Sequence, residues 1–216
     1  MLDLDFLEIG SCDFDTLVEQ ANDNTVGVVV EPVKEFLDNL PSPTNVIKIN
    51  AAIAANNIEQ TVEIFYISNR SIKNRGLEEY LKGCSVIGRY HQIHRHQNLK
   101  HLVEKQTITQ IPIAKLLTDL NIRRIKHLKI DTEGSDCQIL NFFLEYLKDK
   151  PSEYYPDQIN FETNFLSTRK DILNTIGLFC QNGYQLKNLQ TLKPLFKLKG
   201  KKFSNRWPND TTLIKT

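Results

Sequence analysis

Val26-Gly27-Val28-Val29-Val30-Glu31-Pro32 is the stretch that decides the fold. Its nearly continuous β-branched run is the pattern of a strand buried on both faces of a parallel sheet. Pro32 ends the strand and suits the first turn of a helix, which the spacing places over 33–40. A strand buried on both faces needs helices on both sides, and the rest of the chain alternates accordingly. Upstream, Leu4-Asp5-Phe6-Leu7-Glu8-Ile9 is a short, mostly apolar run stopped by Gly10, a second buried strand. Between the two, Phe14, Leu17, Val18 and Ala21 recur at spacings of three and four, and Asp13 or Asp15 suits the cap of that helix. Downstream, the turn Pro41-Ser42-Pro43 leads to a strand over 46–53, and the alternation over 61–67 predicts an edge or hairpin strand.

Residues 68–105 break the rhythm. They are polar, lack sustained periodicity and hold His91, His94, His96 and His101. A loop this long within a compact domain reads as a functional insertion. Beyond it, strands are predicted over 108–113, 127–131, 158–162, 183–189 and 210–215, with helices over 114–120, 135–148 and 169–181. The helix over 135–148 carries Ile139, Leu140, Phe143, Leu144 and Leu147 on one face. The whole is read as one domain over 1–216, a doubly wound α/β sheet with an antiparallel finish. The basic run Lys197-Leu198-Lys199-Gly200-Lys201-Lys202 reads as a solvated loop.

Composition excludes several classes. The chain of 216 residues has Lys and Arg totalling 27 against 26 acids, a net charge of +1, so no global field points to nucleic acid or an anionic membrane. Arg89, Arg95, Lys100 and Lys105 make only a thin basic face. No apolar run approaches the roughly 18 residues of a membrane span. The acidic start, Met1 to Asp5, is unlike a basic signal segment. Cys12, Cys84, Cys137 and Cys180 are scattered, which suits a reducing, cytoplasmic compartment rather than a disulfide framework or zinc site.

In a doubly wound sheet, ligands bind at the carboxyl ends of the strands. Glu8-Ile9-Gly10-Ser11-Cys12-Asp13 follows the first strand, and Gly10 permits a tight turn and close ligand approach. The full GxGxxG of a dinucleotide site is absent, and Glu8 suits an ammonium-bearing ligand better than a pyrophosphate. Glu31, ending the second strand, stands where a carboxylate holds a ribose diol; its alternative is to cap the helix at Pro32. A ribose-bearing ligand with an amino group describes S-adenosyl-L-methionine. Asp131-Thr132-Glu133-Gly134-Ser135-Asp136 then sets three acids in six positions after a strand, where helix capping needs only one. Glu162 and Asn164 follow the next strand.

At these residues the sequence resembles the FkbM family of S-adenosylmethionine-dependent methyltransferases. The matching pieces are Phe6-Leu7-Glu8-Ile9-Gly10-Ser11, Val28-Val29-Val30-Glu31-Pro32, Asn50-Ala51-Ala52-Ile53, Leu128-Lys129-Ile130-Asp131-Thr132-Glu133-Gly134 and Asn160-Phe161-Glu162. They cover roughly residues 4–166, and the Lys-Ile-Asp-x-Glu-Gly segment is the most specific of them. The resemblance implies a Rossmann-like, class I methyltransferase fold. This is a doubly wound, mostly parallel seven-stranded sheet with helices on both faces and an antiparallel last strand. It also implies a hydroxyl acceptor on a sugar, glycan or natural product. Two departures stand out: Asp13-Phe14 replaces a second glycine, and the chain begins almost at strand one, without the helical extension of larger relatives.

The expected roles follow. Glu8, Ile9, Gly10, Ser11 and Asp13 hold the methionine part of the donor. Glu31 and Pro32 hold the ribose, and Asn50, Ala51 and Ala52 the adenine. Asp131, supported by Glu133, stands nearest the methyl group, with His94 and His96 as further candidates for the base. His91, Arg95, Glu162 and Asn164 are expected on the acceptor side, and Trp207 either stacks on a sugar or covers the core. No spacing demands a metal and none is expected, although Asp131, Glu133 and a loop histidine offer ligand atoms. A nucleic-acid methyltransferase and a non-catalytic nucleotide-binding module are the competing readings.

Overall fold

The computed structural model describes residues 1–164, 166–187 and 210–216. In chain order the first half comprises β1 (Leu2–Ile9), β2 (Gly27–Val30), α1 (Lys34–Asn39), β3 (Val46–Ile49), β4 (Ala52–Ala54), β5 (Gln60–Tyr66), α2 (Asn69–Arg75), β6 (Val86–Ile87) and α3 (Gln92–His96). The second half comprises β7 (Glu104–Pro112), α4 (Ile113–Asp119), β8 (Ile122–Ile130), α5 (Asp136–Leu147), β9 (Gln158–Glu162), α6 (Arg169–Gln181), β10 (Tyr184–Leu186) and β11 (Asp210–Lys215).

Among the described residues, seven strands form one sheet in the order β10-β11-β9-β8-β1-β2-β3. The pairs from β3 across to β9 are parallel. β11 runs antiparallel to both of its neighbours, β9 and β10. The α/β class therefore holds, but the expected mostly parallel sheet finished by an antiparallel last strand is corrected. The sheet is mixed, because the final strand of the chain is inserted between β9 and β10. A second sheet was also not foreseen: β4, β7, β5 and β6 pair in that order. The single strand expected over 46–53 is split between the two sheets. At the break, the Asn50 amide donates to the carbonyls of Glu31 and Pro32, 2.9 Å each, and turns the chain away.

The main core lies between the seven-stranded sheet and α4, α5 and α6. Ile139, Leu140, Phe143, Leu144 and Leu147 are all buried there, as their helical spacing requires. The opposite face carries a smaller cluster of Phe6, Val18, Val29, Leu37 and Leu40 beneath α1. Here the helix expected over 14–21 is reduced to a 3-10 turn, Val18–Gln20. Cys12 and Asp15 adopt left-handed backbone, with φ of 51° and 54°, which no α-helix accommodates. The Leu17 N–H is taken instead by the Glu8 carboxylate at 2.9 Å.

Residues 68–105 are not a long irregular loop. They fold into a cap built from α2, a 3-10 turn at Glu79–Lys82, β6, α3 and a second 3-10 turn at Lys100–Leu102. Its small core is Ile67, Ile72 and Leu81, packed with Leu77, Ile93, Leu99 and Val103. The Trp207 and Lys197–Lys202 expectations, and the end of the strand expected over 183–189, lie outside the described residues. Among the described residues, no helix is long and apolar enough to cross a membrane.

Candidate active site

Strand order reverses between β1 and β8: the chain moves from β1 to β2 and β3 on one side, then crosses to β8 and β9 on the other. Backbone pairing continues one residue past these strand ends. Gly10 N–H donates to Val30 at 2.9 Å, Glu31 N–H to Ile49 at 3.0 Å and Asp131 N–H to Ile9 at 2.9 Å. Gly10, Glu31 and Asp131 are thereby held on one rim. Gly10 has φ of +77°, and a Cβ there would stand 1.9 Å from the Asp131 carbonyl oxygen. The position admits no side chain.

Over this rim lies a cavity of about 740 Å³, walled by the strand ends below and by cap residues such as Cys84, Val86 and His91 above. Its volume is within the roughly 300–1,000 Å³ of small-molecule sites. The Glu31 carboxylate, buried in the wall, accepts the N–H of Cys12 and of Val33, each at 2.8 Å. Val33 is the residue that opens α1, so Glu31 braces that helix while facing the cavity. Burial pushes its pKa up to about 7, against the opposing pull of its backbone N–H donors.

The acids after β8 divide their labour. Asp136 is fully buried and collects the Thr132 N–H at 3.2 Å, the Thr132 hydroxyl at 3.1 Å and the Gly134 N–H at 3.3 Å. It holds the turn. Asp131 and Glu133 are left to the cavity, and Glu133 sits in left-handed backbone at φ 52°. Oxygens of Asp131, Glu133 and Glu162 all lie within 4.8 Å of one another. Burial, then the charges of Asp136 and Glu133, hold the Asp131 carboxyl well above the ordinary carboxylate range. Burial and the charge of Asp131 do the same to Glu162. One Glu162 oxygen accepts the Asn164 amide; the other is buried without a hydrogen bond. Lys129 also lines the cavity, but it pairs with Glu8 at 2.9 Å and donates to the Asp15 carbonyl at 2.6 Å.

Residues 7–186 match the family model of the methyltransferase FkbM domain. The chain belongs to the FkbM methyltransferase family. Searches of curated proteins and of solved structures found no match. The FkbM match runs from within β1 to the end of β10, and so takes in the strand ends that wall the cavity except that of β11, whose Asp210 also lines it.

This FkbM chain brings most of the expected site together. Ile9, Gly10, Ser11, Glu31, Pro32, Ala51, Ala52, Asp131, Glu133, Glu162, Asn164 and His91 all line the cavity. Others do not. Glu8 is buried beneath the loop, paired with Lys129, and does not line the cavity. Asp13 pairs with Lys82 at 2.7 Å and accepts the Asn39 amide at 3.1 Å and the Asn69 amide at 2.8 Å, so it ties the loop to the cap. Asn50 serves the chain turn described above, leaving the wall to Ala51 and Ala52.

Among the histidines proposed for catalysis, His94 is fully buried outside the cavity and His96 is exposed outside it. Arg95 lines a separate pocket of about 90 Å³. Sequence reasoning passed over His127, whose ring meets Asn160 at 2.9 Å on the cavity wall. Its signal was the strand alternation, since His127, Lys129 and Asp131 fall on one face.

Proposed function

We propose that this FkbM protein is an S-adenosyl-L-methionine-dependent O-methyltransferase acting on a hydroxyl of a sugar or glycan. The observation that carries the reading is the meeting of Gly10, Glu31 and Asp131 on the rim of one cavity at the reversal of strand order. The residues present fit such a donor. Glu31 offers two carboxylate oxygens to a ribose diol, and Ala51 and Ala52 form a small apolar wall for a purine. The turn at Gly10 lets the backbone approach the ligand, and the acids beyond β8 suit an ammonium group.

When bound, the donor supplies a methyl group on a positively charged sulfur, open to in-line attack by an acceptor oxygen. The chain's own contribution is alignment and proton removal. Strand ends fix the donor side of the cavity, and the cap closes over the acceptor side. Asp131 accepts no hydrogen bond among the described residues, so its carboxylate is free to take the hydroxyl proton as the new O–C bond forms. Its raised proton affinity, caused by burial and neighbouring acids, makes it a stronger base than an exposed carboxylate. Glu133 and Glu162 share its rim, and the positive charge of a bound donor would favour ionisation of this carboxylate set.

Transfer of a labelled methyl group from the donor to a panel of sugars and glycans tests the reading. Label on an acceptor oxygen is expected, with Asp131→Asn still binding donor but transferring slowly. Label on nitrogen or carbon would overturn O-methylation, and an Asp131→Asn variant at the wild-type rate would remove Asp131 as the base.

A further inference from the structure

His91 is the one histidine of the cap that reaches the cavity, and its two ring nitrogens face different partners. Nδ1 accepts the Ile93 N–H at 3.2 Å, an interaction that caps the start of α3. A ring nitrogen that accepts a backbone N–H carries no proton, so the proton of the neutral ring sits on Nε2. Nε2 stands 3.4 Å from Glu133 Oε2, with His91 2% and Glu133 16% exposed at their side chains. Nε2 has no hydrogen bond, and the nearest acceptor shown for it is this carboxylate. The same tautomer argues against a metal role for Cys84, His91 and Glu133, whose ligand atoms are also close together. The nitrogen in that group presents a proton rather than a lone pair.

We infer that His91 is a positioning residue, which directs its Nε2–H at Glu133 and opposes the proton uptake that burial and mutual repulsion favour in the carboxylate set of the site. The inference rests on the methyl-transfer reading above and deepens it. Asp131, just past β8, and Glu162 from β9 face Glu133 with like charge; Asp136 from α5 and Asp210 from β11 add theirs to Asp131 and Glu162, while Lys129 is already engaged by Glu8. From the cap, Cys84 and His91 face it, and His94 packs edge-on against His91 with ring centroids 5.7 Å apart. His94 is held neutral by burial, down to about 4, so the cap brings no fixed positive charge from that ring. Lys82 and Arg89 of the cap also line the cavity, Lys82 being paired with Asp13 and Glu79; the donor aimed at Glu133 is the cap's direct contact favouring the charged form.

Three carboxylates this close titrate as a set, and removing a donor to their charged form moves the set's proton uptake to higher pH. His91→Leu is expected to shift the acid limb of the rate–pH profile upward by about one unit, with the rate below that limb falling about tenfold. His91→Gln, which keeps an N–H donor of similar reach, is expected to restore most of the shift. Donor affinity, measured by calorimetry well above that limb, where the set is charged in every variant, is expected to be unchanged in both. A His91→Leu profile superimposable on the wild type would overturn the inference.

A second measurement does not depend on turnover. Nitrogen-15 spectra of the ring are expected to show Nε2 protonated and Nδ1 bare, with Nε2 perturbed in Glu133→Gln. The opposite tautomer, or no response to Glu133→Gln, would refute the His91–Glu133 link. Were the wild type to transfer no methyl group, the methyltransferase reading would fall, and the ring spectra would still decide the link.

Discussion

Replacing Gly10 by alanine tests the geometry on which the site depends. At φ of +77° an alanine carries left-handed strain of about 1–2 kcal/mol. Its Cβ would stand 1.9 Å from the Asp131 carbonyl oxygen, about 1.5 Å inside ordinary contact at 3.4 Å. The ends of β1 and β8 must then separate, at an overpacking cost of about 1–3 kcal/mol. Separation also weakens the bond from Asp131 N–H to Ile9, 2.9 Å in the native chain, which is worth about 1 kcal/mol. The total is about 3–6 kcal/mol. For a chain of this length that lowers the melting temperature by about 6–24 °C.

Gly183 is the control. Its φ is +84°, but a Cβ there meets nothing within 4 Å, so Gly183→Ala carries the backbone strain alone. Thermal melts of the two variants side by side isolate the close approach. Because a misplacement of about 1 Å at a reacting centre costs about a hundredfold in rate, Gly10→Ala should also lose methyl transfer even where it remains folded. A Gly10→Ala protein melting no lower than Gly183→Ala would refute the contact between the two strand ends.

Three further outcomes follow from the site and its cap. Burial raises Glu31 to about 7, so its neutral form favours the folded state. Its stabilising contribution is full below the usual carboxylate value and is lost as pH rises through about 7. Unfolding titrations should show that slope in the wild type and a flatter one in Glu31→Gln, while donor affinity, which needs the ionised form, should rise over the same interval only in the wild type. Asp13→Ala leaves the buried Lys82 ammonium with the exposed Glu79 alone, at 2.6 Å, and removes the acceptor of the Asn39 and Asn69 amides; it should cost about 1–3 kcal/mol. Hydrogen exchange should accelerate across residues 68–105; unchanged exchange would mean that Asp13 does not hold the cap. His94 is fully buried with both ring nitrogens lacking a hydrogen bond, and burial depresses it to about 4. Its neutral form contributes stability above about 6.5 that is lost as pH falls through about 4. His94→Leu should therefore flatten the acid limb of stability and leave the rate intact, and a large loss of rate would return His94 to the mechanism.

Local pattern carried much of the fold. β9 and α6 stand where period-2 and helical spacing placed them, and α5 buries the face its sequence marks as apolar. Strand pairing was not legible, because nothing local to residues 210–215 says that they slot between β9 and β10. The cap escaped notice for a related reason. Its helices, Asn69–Arg75 and Gln92–His96, are too short to display a period, and their apolar residues meet through tertiary packing.

The site divides in the same way. Gly10, Glu31 and Asp131 were legible because each follows a recognisable strand, and parallel strands deliver such residues to one rim. Glu8 was misread because its fate is set by register: β1 pairs with β8 so that Glu8 lies beside Lys129, a cross-strand neighbour 121 positions away in the chain. Asp13 was misread likewise, since Lys82 reaches it only through the folded cap. The raised proton affinity of Asp131 is also a product of assembly, arising from burial and from acids on separate elements.

Calorimetric titration of the intact chain with S-adenosyl-L-methionine tests the central claim most directly, that the cavity over the β1 and β8 ends binds a methyl donor. One donor per chain is expected, with weakened binding in Glu31→Gln and a raised melting temperature in the wild-type complex. No heat and no thermal shift with the wild type would contradict the account.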